Sequence, residues 1–224
     1  MLKGMEDRLK LQAVVVLYQS TVKSSATLQS LRTIFNVQPE LAEQIDLLIY
    51  DNSPEMQAAD PGEFGAATQY MHDAGNGGLT VAYEYALDLA VNRGLEWLLL
   101  LDQDTTLTVE FFRELLNALD TGFPAHVCAV VPQQVREGVA LSPRLVRRNR
   151  DLPVTAGVAT ESLTVFNSAA CVRVKAMQAI GGFPREFPLD YLDHVVFHRL
   201  QAAGGRLLVL PIHIEHQLLS LIHI

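Results

Sequence analysis

Cysteine is almost missing from this 224-residue chain. Cys128 and Cys171 lie far apart and lack metal-ligand spacing, so they read as buried, reduced thiols suited to the cytosol. An excess of basic charge is also missing. Asp plus Glu outnumber Lys plus Arg by 25 to 17, which argues against general nucleic-acid binding, because such binders gain most of their affinity by neutralising phosphates. No apolar run approaches the roughly eighteen residues of a membrane span. The opening "MLKGMEDRLKLQAVVVL" carries charge where a signal peptide needs its apolar stretch. A cytoplasmic chain is expected, with room for peripheral contact at the inner face of a membrane. Repeats and low-complexity tracts are absent, and the length suits one well-buried core, near the upper size of a single domain.

What is present alternates. "LQAVVVL", 11–17, is a short β-branched run expected as a strand buried on both faces. Ser24 or Ser25 is placed to cap a following helix whose Leu28, Leu31 and Phe35 share a face. "IDLLIYDNSP" predicts a second strand that stops at a turn cluster. Residues 55–67 are small and polar and read as a loop, with a short strand expected over 68–71. "GNGGLTVAYEYALDLAVNRG" then supplies a glycine-rich entry and a helix, with Leu79, Ala82, Ala86 and Leu89 facing inward and Gly94 closing it. "EWLLLLDQD" is a strand, Thr108 caps "VEFFRELLNALDTG", and "HVCAVV" is another buried strand.

This alternation predicts an α/β fold, a mostly parallel sheet with helices on both faces. Ligands in such sheets bind beyond the carboxyl ends of the strands, where Asp51, Asp102 and Asp104 all fall. From Pro132 to Ser162 the chain makes an irregular excursion containing "RLVRRNR". Arg144, Arg147, Arg148 and Arg150 there form either a solvated loop or a seat for a pyrophosphate-linked lipid acceptor or an anionic membrane. Order resumes in "SLTVFNSAACVRVKAMQAIGGF", where Gly181 and Gly182 are expected to end a helix. In "LDYLDHVVFHRLQAAGG", Asp190 is expected as N-cap, Asp193 at the third helical position, and Val195, Val196, Leu200 and Ala203 toward the core. "RLLVLPIHIEH" predicts a closing strand with an irregular end.

"LLLLDQDTTLT" raises the chemical question, since two carboxylates one residue apart repel unless water or a cation separates them. The D-x-D pattern fits a divalent metal holding a nucleotide diphosphate, because hard oxygen ligands suit Mg²⁺ or Mn²⁺. It also fits the opening of a haloacid-dehalogenase-type phosphatase, with Asp102 as nucleophile and Asp104 as acid/base. Lys175, Asp190 and Asp193 could imitate that enzyme's downstream lysine and acidic pair. Yet the two strand–helix units and glycine-rich loop ahead of the motif are more than that fold needs.

The order of the pieces "IDLLIYDNS", "GNGGLTVAYEYAL", "WLLLLDQDTTL", "FNSAACVRVKAMQAIGGF", "FPLDYLDHVVFHRLQAAGG" and "VLPIHIEH" resembles family 2 glycosyltransferases of the GT-A fold, most closely their rhamnosyltransferase-like branch. The likeness covers about 11–216, with 11–131 as a nucleotide-sugar half and 132–216 as an acceptor half of one domain. It implies an inverting, metal-dependent transfer of rhamnose or a hexose from dTDP-rhamnose or a UDP-sugar. The acceptor would be a saccharide or lipid-pyrophosphate-linked saccharide in surface polysaccharide synthesis. Asp51 would contact the base or ribose of the donor, with Asn76 and Gly78 in the loop that lets the chain approach the nucleotide. Asp102 would lie on the ribose side or in the metal shell, Asp104 would ligate Mg²⁺ or Mn²⁺, and His216 would complete the metal site. Asp193 matches the catalytic base, while Ser168, Asp190, Arg147 and Arg148 fall on the acceptor or phosphate side.

Two positions depart from the family pattern: Glu84 stands where asparagine is frequent, and Ala169 where glycine commonly follows a serine. Relatives also commonly continue beyond the histidine, whereas "LLSLIHI" closes this chain eight residues after His216, so a truncation or foreign tail is expected. The alternatives carried forward are the phosphatase and a catalytically silent nucleotide-sugar-binding protein.

Overall fold

The computed structural model describes residues 11–147, 150–152 and 154–215. Strand β1 (Leu11–Leu17) leads into α1 (Ala26–Val37) and the single turn α2 (Pro39–Ala42), followed by β2 (Ile45–Asp51), β3 (Gln69–His72), α3 (Gly78–Asn92) and β4 (Trp97–Asp102). Next come α4 (Val109–Thr121), β5 (Val127–Arg136), β6 (Val139–Ser142), β7 (Leu145–Arg147), β8 (Arg150–Leu152) and β9 (Gly157–Val158). The chain continues through β10 (Ala170–Arg173), α5 (Val174–Ala179), α6 (Leu192–Ala202) and β11 (Arg206–Glu215). The main sheet runs β3-β2-β1-β4-β10-β5-β11-β9, with β6 added beside β5.

Pairs β3–β2, β2–β1, β1–β4 and β5–β11 are parallel, as the alternating pattern requires. The irregular half interrupts them, since β10 enters antiparallel between β4 and β5. Side-chain alternation divides β1 between two cores. Leu11, Ala13, Val15 and Leu17 meet α1 and α4, whereas Val14 and Val16 meet α3, α5 and α6. Leu98 to Leu101 divide the same way and all are fully buried.

The helix starts follow their caps. Ser25 Oγ accepts from Leu28 N at 3.2 Å, and Thr108 Oγ1 accepts from Phe111 N at 3.1 Å. Gly94, at φ +68°, closes α3, and Gly181 and Gly182 follow α5 with positive φ.

Several boundaries differ from the sequence expectation. The short strand is Gln69–His72, one residue later than expected, because it takes its register from Leu48–Asp51 of β2. Strand β5 runs on past Val131 through Pro132. The β5–β11 register shifts between Val209 and His213 there, which accommodates a residue without an N–H. Helix α6 begins at Leu192 with Tyr191 in the cap position at φ +61° and no side-chain cap. Asp190 is therefore not the N-cap, and Asp193 is the second helical residue. Leu192, Val196, Phe197 and Leu200 are buried, while Val195 is half-buried and Ala203 exposed. The later helix start turns the apolar stripe toward Leu192 and Phe197.

Candidate active site

The D-x-D turn is fastened from below before any ligand is considered. Thr27, in the first turn of α1, donates its hydroxyl to the carbonyls of Asp102 and Thr105 and accepts from Thr105 N at 3.0 Å. Ser25 Oγ donates to Gln103 O at 2.8 Å, and Gln103 Oε1 accepts from Tyr18 N at 2.9 Å. Thr105 is wholly buried and its hydroxyl bonds Ser168 Oγ, which also accepts from Asp102 N at 3.3 Å. The threonine after the acids thus holds the turn rigid.

Asp102 and Asp104 share the carboxyl edge of the sheet with Asp193, and the charges of Asp104 and Asp193 both act on Asp102. Burial first, then Asp104, then Asp193 push the Asp102 carboxyl up to about 7, partly countered by the Tyr83 hydroxyl that donates to Oδ1 at 3.0 Å. A rise of that size costs about 4 kcal/mol when the carboxylate is ionised. Four fully buried leucines in the same strand contribute about 1.5–3 kcal/mol each, so the strand carries its charged end. Burial raises Asp193 as well, and its Oδ1 accepts from His194 N at 2.7 Å.

The charge pattern fits a hard divalent cation, which would remove the repulsion that raises Asp102. Asp102 and Asp104 are the residues whose oxygens could hold one. No group of three or more His, Cys, Asp or Glu among the described residues forms a complete metal cluster. His216, the third ligand expected from the resemblance, lies outside those residues, as does Arg148. Arg147 lies in β7, the first strand of the β7–β8 hairpin.

Asp51 ends β2 fully buried and accepts from Ser53 N at 2.9 Å, Gln57 Nε2 at 2.8 Å and Tyr70 Oη at 2.6 Å. Gln57 also reaches Ser20 O and Val22 N, so the 55–58 segment covers the strand end. The glycine-rich entry to α3 is organised by Asp73. Backbone N–H groups of Gly77 and Gly75 hold its carboxyl below the usual range against a smaller desolvation effect. Asn76 is exposed on this loop at φ +48°. Gly78 also meets a packing requirement. A Cβ there would stand 2.5 Å from Pro188 O, so its smallness admits the segment before α6.

Ser168 is fully buried and engaged with Thr105, Asp102 N and Gln134, so it braces the turn and offers no hydroxyl to an acceptor. Asp190 is exposed. Ala169 adopts φ +59° with its N–H on Leu100 O at 2.7 Å, the left-handed backbone for which glycine would be expected. Glu84 Oε2 accepts from Phe183 N at 2.8 Å, which makes it a strut for the turn after α5. Tyr83 and Thr27 were not singled out by their sequence context. Tyr83 sits on the face of α3 that meets β4, a position readable only once α3 is docked.

Lys175 decides the phosphatase alternative. Because β10 runs antiparallel to β4, α5 begins beside Trp97, where Val174 N donates to Glu96 O. The lysine therefore lies at the opposite end of a six-residue strand from Asp102, roughly 17 Å away at the usual rise.

No protein-family model and no curated protein matches the sequence. Among solved structures, S. aureus TarS residues 1–349 superposes with a TM-score of 0.62 at 15% identity, covering 93% of this chain and 60% of that one. The complex of TarS 1–349 with UDP-GlcNAc gives 0.61 at 16% identity, covering 92% and 58%. The chain thus spans about three fifths of those TarS structures. The shared architecture is the GT-A fold, with a large central sheet flanked by helices. No helix among the described residues is long and apolar enough to cross a membrane.

Proposed function

We propose that the chain is a divalent-metal-dependent, inverting glycosyltransferase using a nucleoside-diphosphate sugar. The observation that carries this reading is the meeting of Asp102, Asp104 and Asp193 on the carboxyl edge of a GT-A sheet, with Tyr83 beneath Asp102. Asp104, with Asp102, would hold Mg²⁺ or Mn²⁺, and His216 is the third ligand in this reading. The ion would supply positive charge against the leaving diphosphate. Asp193 would accept the proton of an acceptor hydroxyl as its oxygen attacks the anomeric carbon from the face opposite the nucleotide, inverting that centre in one displacement. Burial raises the Asp193 carboxyl above the ordinary aspartate range, which makes it a stronger base than an exposed aspartate.

A UDP-sugar is the favoured donor, since a structural neighbour holds UDP-GlcNAc, and dTDP-rhamnose is the second choice. Residues 11–131 would bind the donor through Asp51, Asn76 and Gly78, and 132–216 the acceptor. Use of Asp51 would require Gln57 or Tyr70 to give up its bond. A saccharide or lipid-pyrophosphate-linked acceptor in surface polysaccharide synthesis fits a chain working beside the cytoplasmic membrane face, with Arg147 and Arg148 on the acceptor side. Titration with UDP and dTDP, with and without Mn²⁺, tests the donor and metal assignments. Sugar transfer or slow hydrolysis then separates an enzyme from a silent binder. Metal-independent nucleotide affinity would overturn the metal assignment.

A further inference from the structure

Outside the carboxylate edge, α6 forms the wall of a second groove. Asp193 turns toward the site and Val196 and Leu200 toward the core, while His194, Val195, Phe197, His198 and Arg199 line a groove of about 440 Å³. The opposite wall is the 162–164 segment, with Ser162 and Thr164 adding hydroxyls. Gln201 clamps that wall to the helix, accepting from Leu163 N at 2.7 Å and donating to Leu163 O at 2.9 Å.

The charge of the groove is out of keeping with the chain. The protein carries a formal net charge of −8, yet no Asp or Glu lines this groove. Arg199 makes no ion pair with a carboxylate among the described residues. Thr164 is bonded backbone to backbone with Arg144, at 2.8 and 2.9 Å, which brings the start of the "RLVRRNR" cluster to the rim. At the other end, His194 Nε2 lies 4.0 Å from Asp193 Oδ1. A ligand in the groove would adjoin the base without occupying the place of the donor.

We propose that this groove binds the phosphate or pyrophosphate group of the acceptor, so that an attached sugar hydroxyl reaches Asp193. The proposal rests on the glycosyltransferase reading for the word acceptor. The anion site itself stands on the groove. Arg199 supplies a planar guanidinium for two phosphate oxygens, the two imidazoles lie one helical turn apart on the same face, and the hydroxyls of Ser162 and Thr164 complete a donor set.

The test is a titration of the metal-free protein with inorganic pyrophosphate in the presence of chelator, followed by calorimetry and by the imidazole resonances of His194 and His198. Saturable binding that moves both resonances is expected. Arg199→Gln and the double variant His194→Gln/His198→Gln should each bind about tenfold more weakly, the scale of one lost charge-assisted bond. Arg199→Lys should recover part of the loss, and thermal melts confirm that the variants fold. Asp104→Asn should bind pyrophosphate like the parent chain, which separates the groove from the metal site. Farnesyl diphosphate in place of inorganic pyrophosphate distinguishes the sources: tighter binding means a lipid-linked acceptor, equal binding a soluble phosphorylated one. Absent saturation, or variants that bind like the parent, overturns the proposal. Mn²⁺-dependent UDP binding, measured separately, reports on the donor reading whatever the groove does.

Discussion

Replacing Tyr83 with phenylalanine tests the electrostatics of the site with little disturbance of packing. The ring is fully buried, lies 5.3 Å from the Phe183 ring, and fits phenylalanine in the same space. Only the hydroxyl that donates to Asp102 Oδ1 is removed. A hydrogen bond to a charged group is worth about 1.5–3 kcal/mol, but Asp102 keeps a partly exposed edge that water can reach, so the low end applies. One pKa unit corresponds to about 1.4 kcal/mol, so the Asp102 carboxyl should rise by about one unit from its value of about 7. At pH 7 its ionised fraction would then fall from about one half to about one tenth, and Mn²⁺ affinity should weaken about fivefold. At pH 9 both proteins are ionised and most of the difference should vanish. Mn²⁺ titrations at the two pH values, with urea unfolding as a control, measure this. Equal affinities at pH 7 would refute the role of Tyr83. A loss of more than about 3 kcal/mol of stability would show that the substitution disturbed the core instead.

Asp193→Asn should retain donor and metal binding yet lose transfer by roughly a hundredfold or more, whereas Asp190→Asn should leave turnover near that of the parent enzyme, as measured by steady-state assay. In metal-free protein, Asp102 binds its proton more tightly when folded than when unfolded. Its contribution to stability therefore falls as pH rises from about 4 to about 7, and Asp102→Asn should flatten that part of a melting-temperature profile. A steeper profile in the variant would reverse the sign assigned here. Gly78→Ala should destabilise the protein by about 1–3 kcal/mol, because its Cβ meets the Pro188 carbonyl at a positive φ; unchanged urea unfolding would deny that contact.

Local patterns carried the elements that depend on local physics. The β-branched run 11–17, the cap residues Ser25 and Thr108, the closing Gly94 and the strand-end acids were legible because each follows from side-chain period or from hydrogen bonds within a few residues. The insertion of β10 between β4 and β5 was not, since sequence order does not say which strand a returning segment will pair with. Nor was the start of α6, because "DYLD" offers Asp190 as a cap and the chain does not use it, turning instead at Tyr191 with positive φ. At the site, Asp102 and Asp104 were visible as a motif. The bracing by Thr27, Tyr83 and Ser168 joins residues far apart in the chain and became visible only through the packing. At Gly78 the position was legible in the glycine-rich loop, whereas its close approach to the Pro188 carbonyl became visible only through the packing.

The central claim, that the acid pair ending β4 holds a divalent ion for a nucleotide diphosphate, is tested most directly by calorimetric titration of UDP into the parent chain and Asp104→Asn, each with and without Mn²⁺. Saturable UDP binding by the parent chain only with Mn²⁺, lost in a variant that melts at the same temperature, is the expected result. UDP affinity that ignores both Mn²⁺ and the substitution would contradict it.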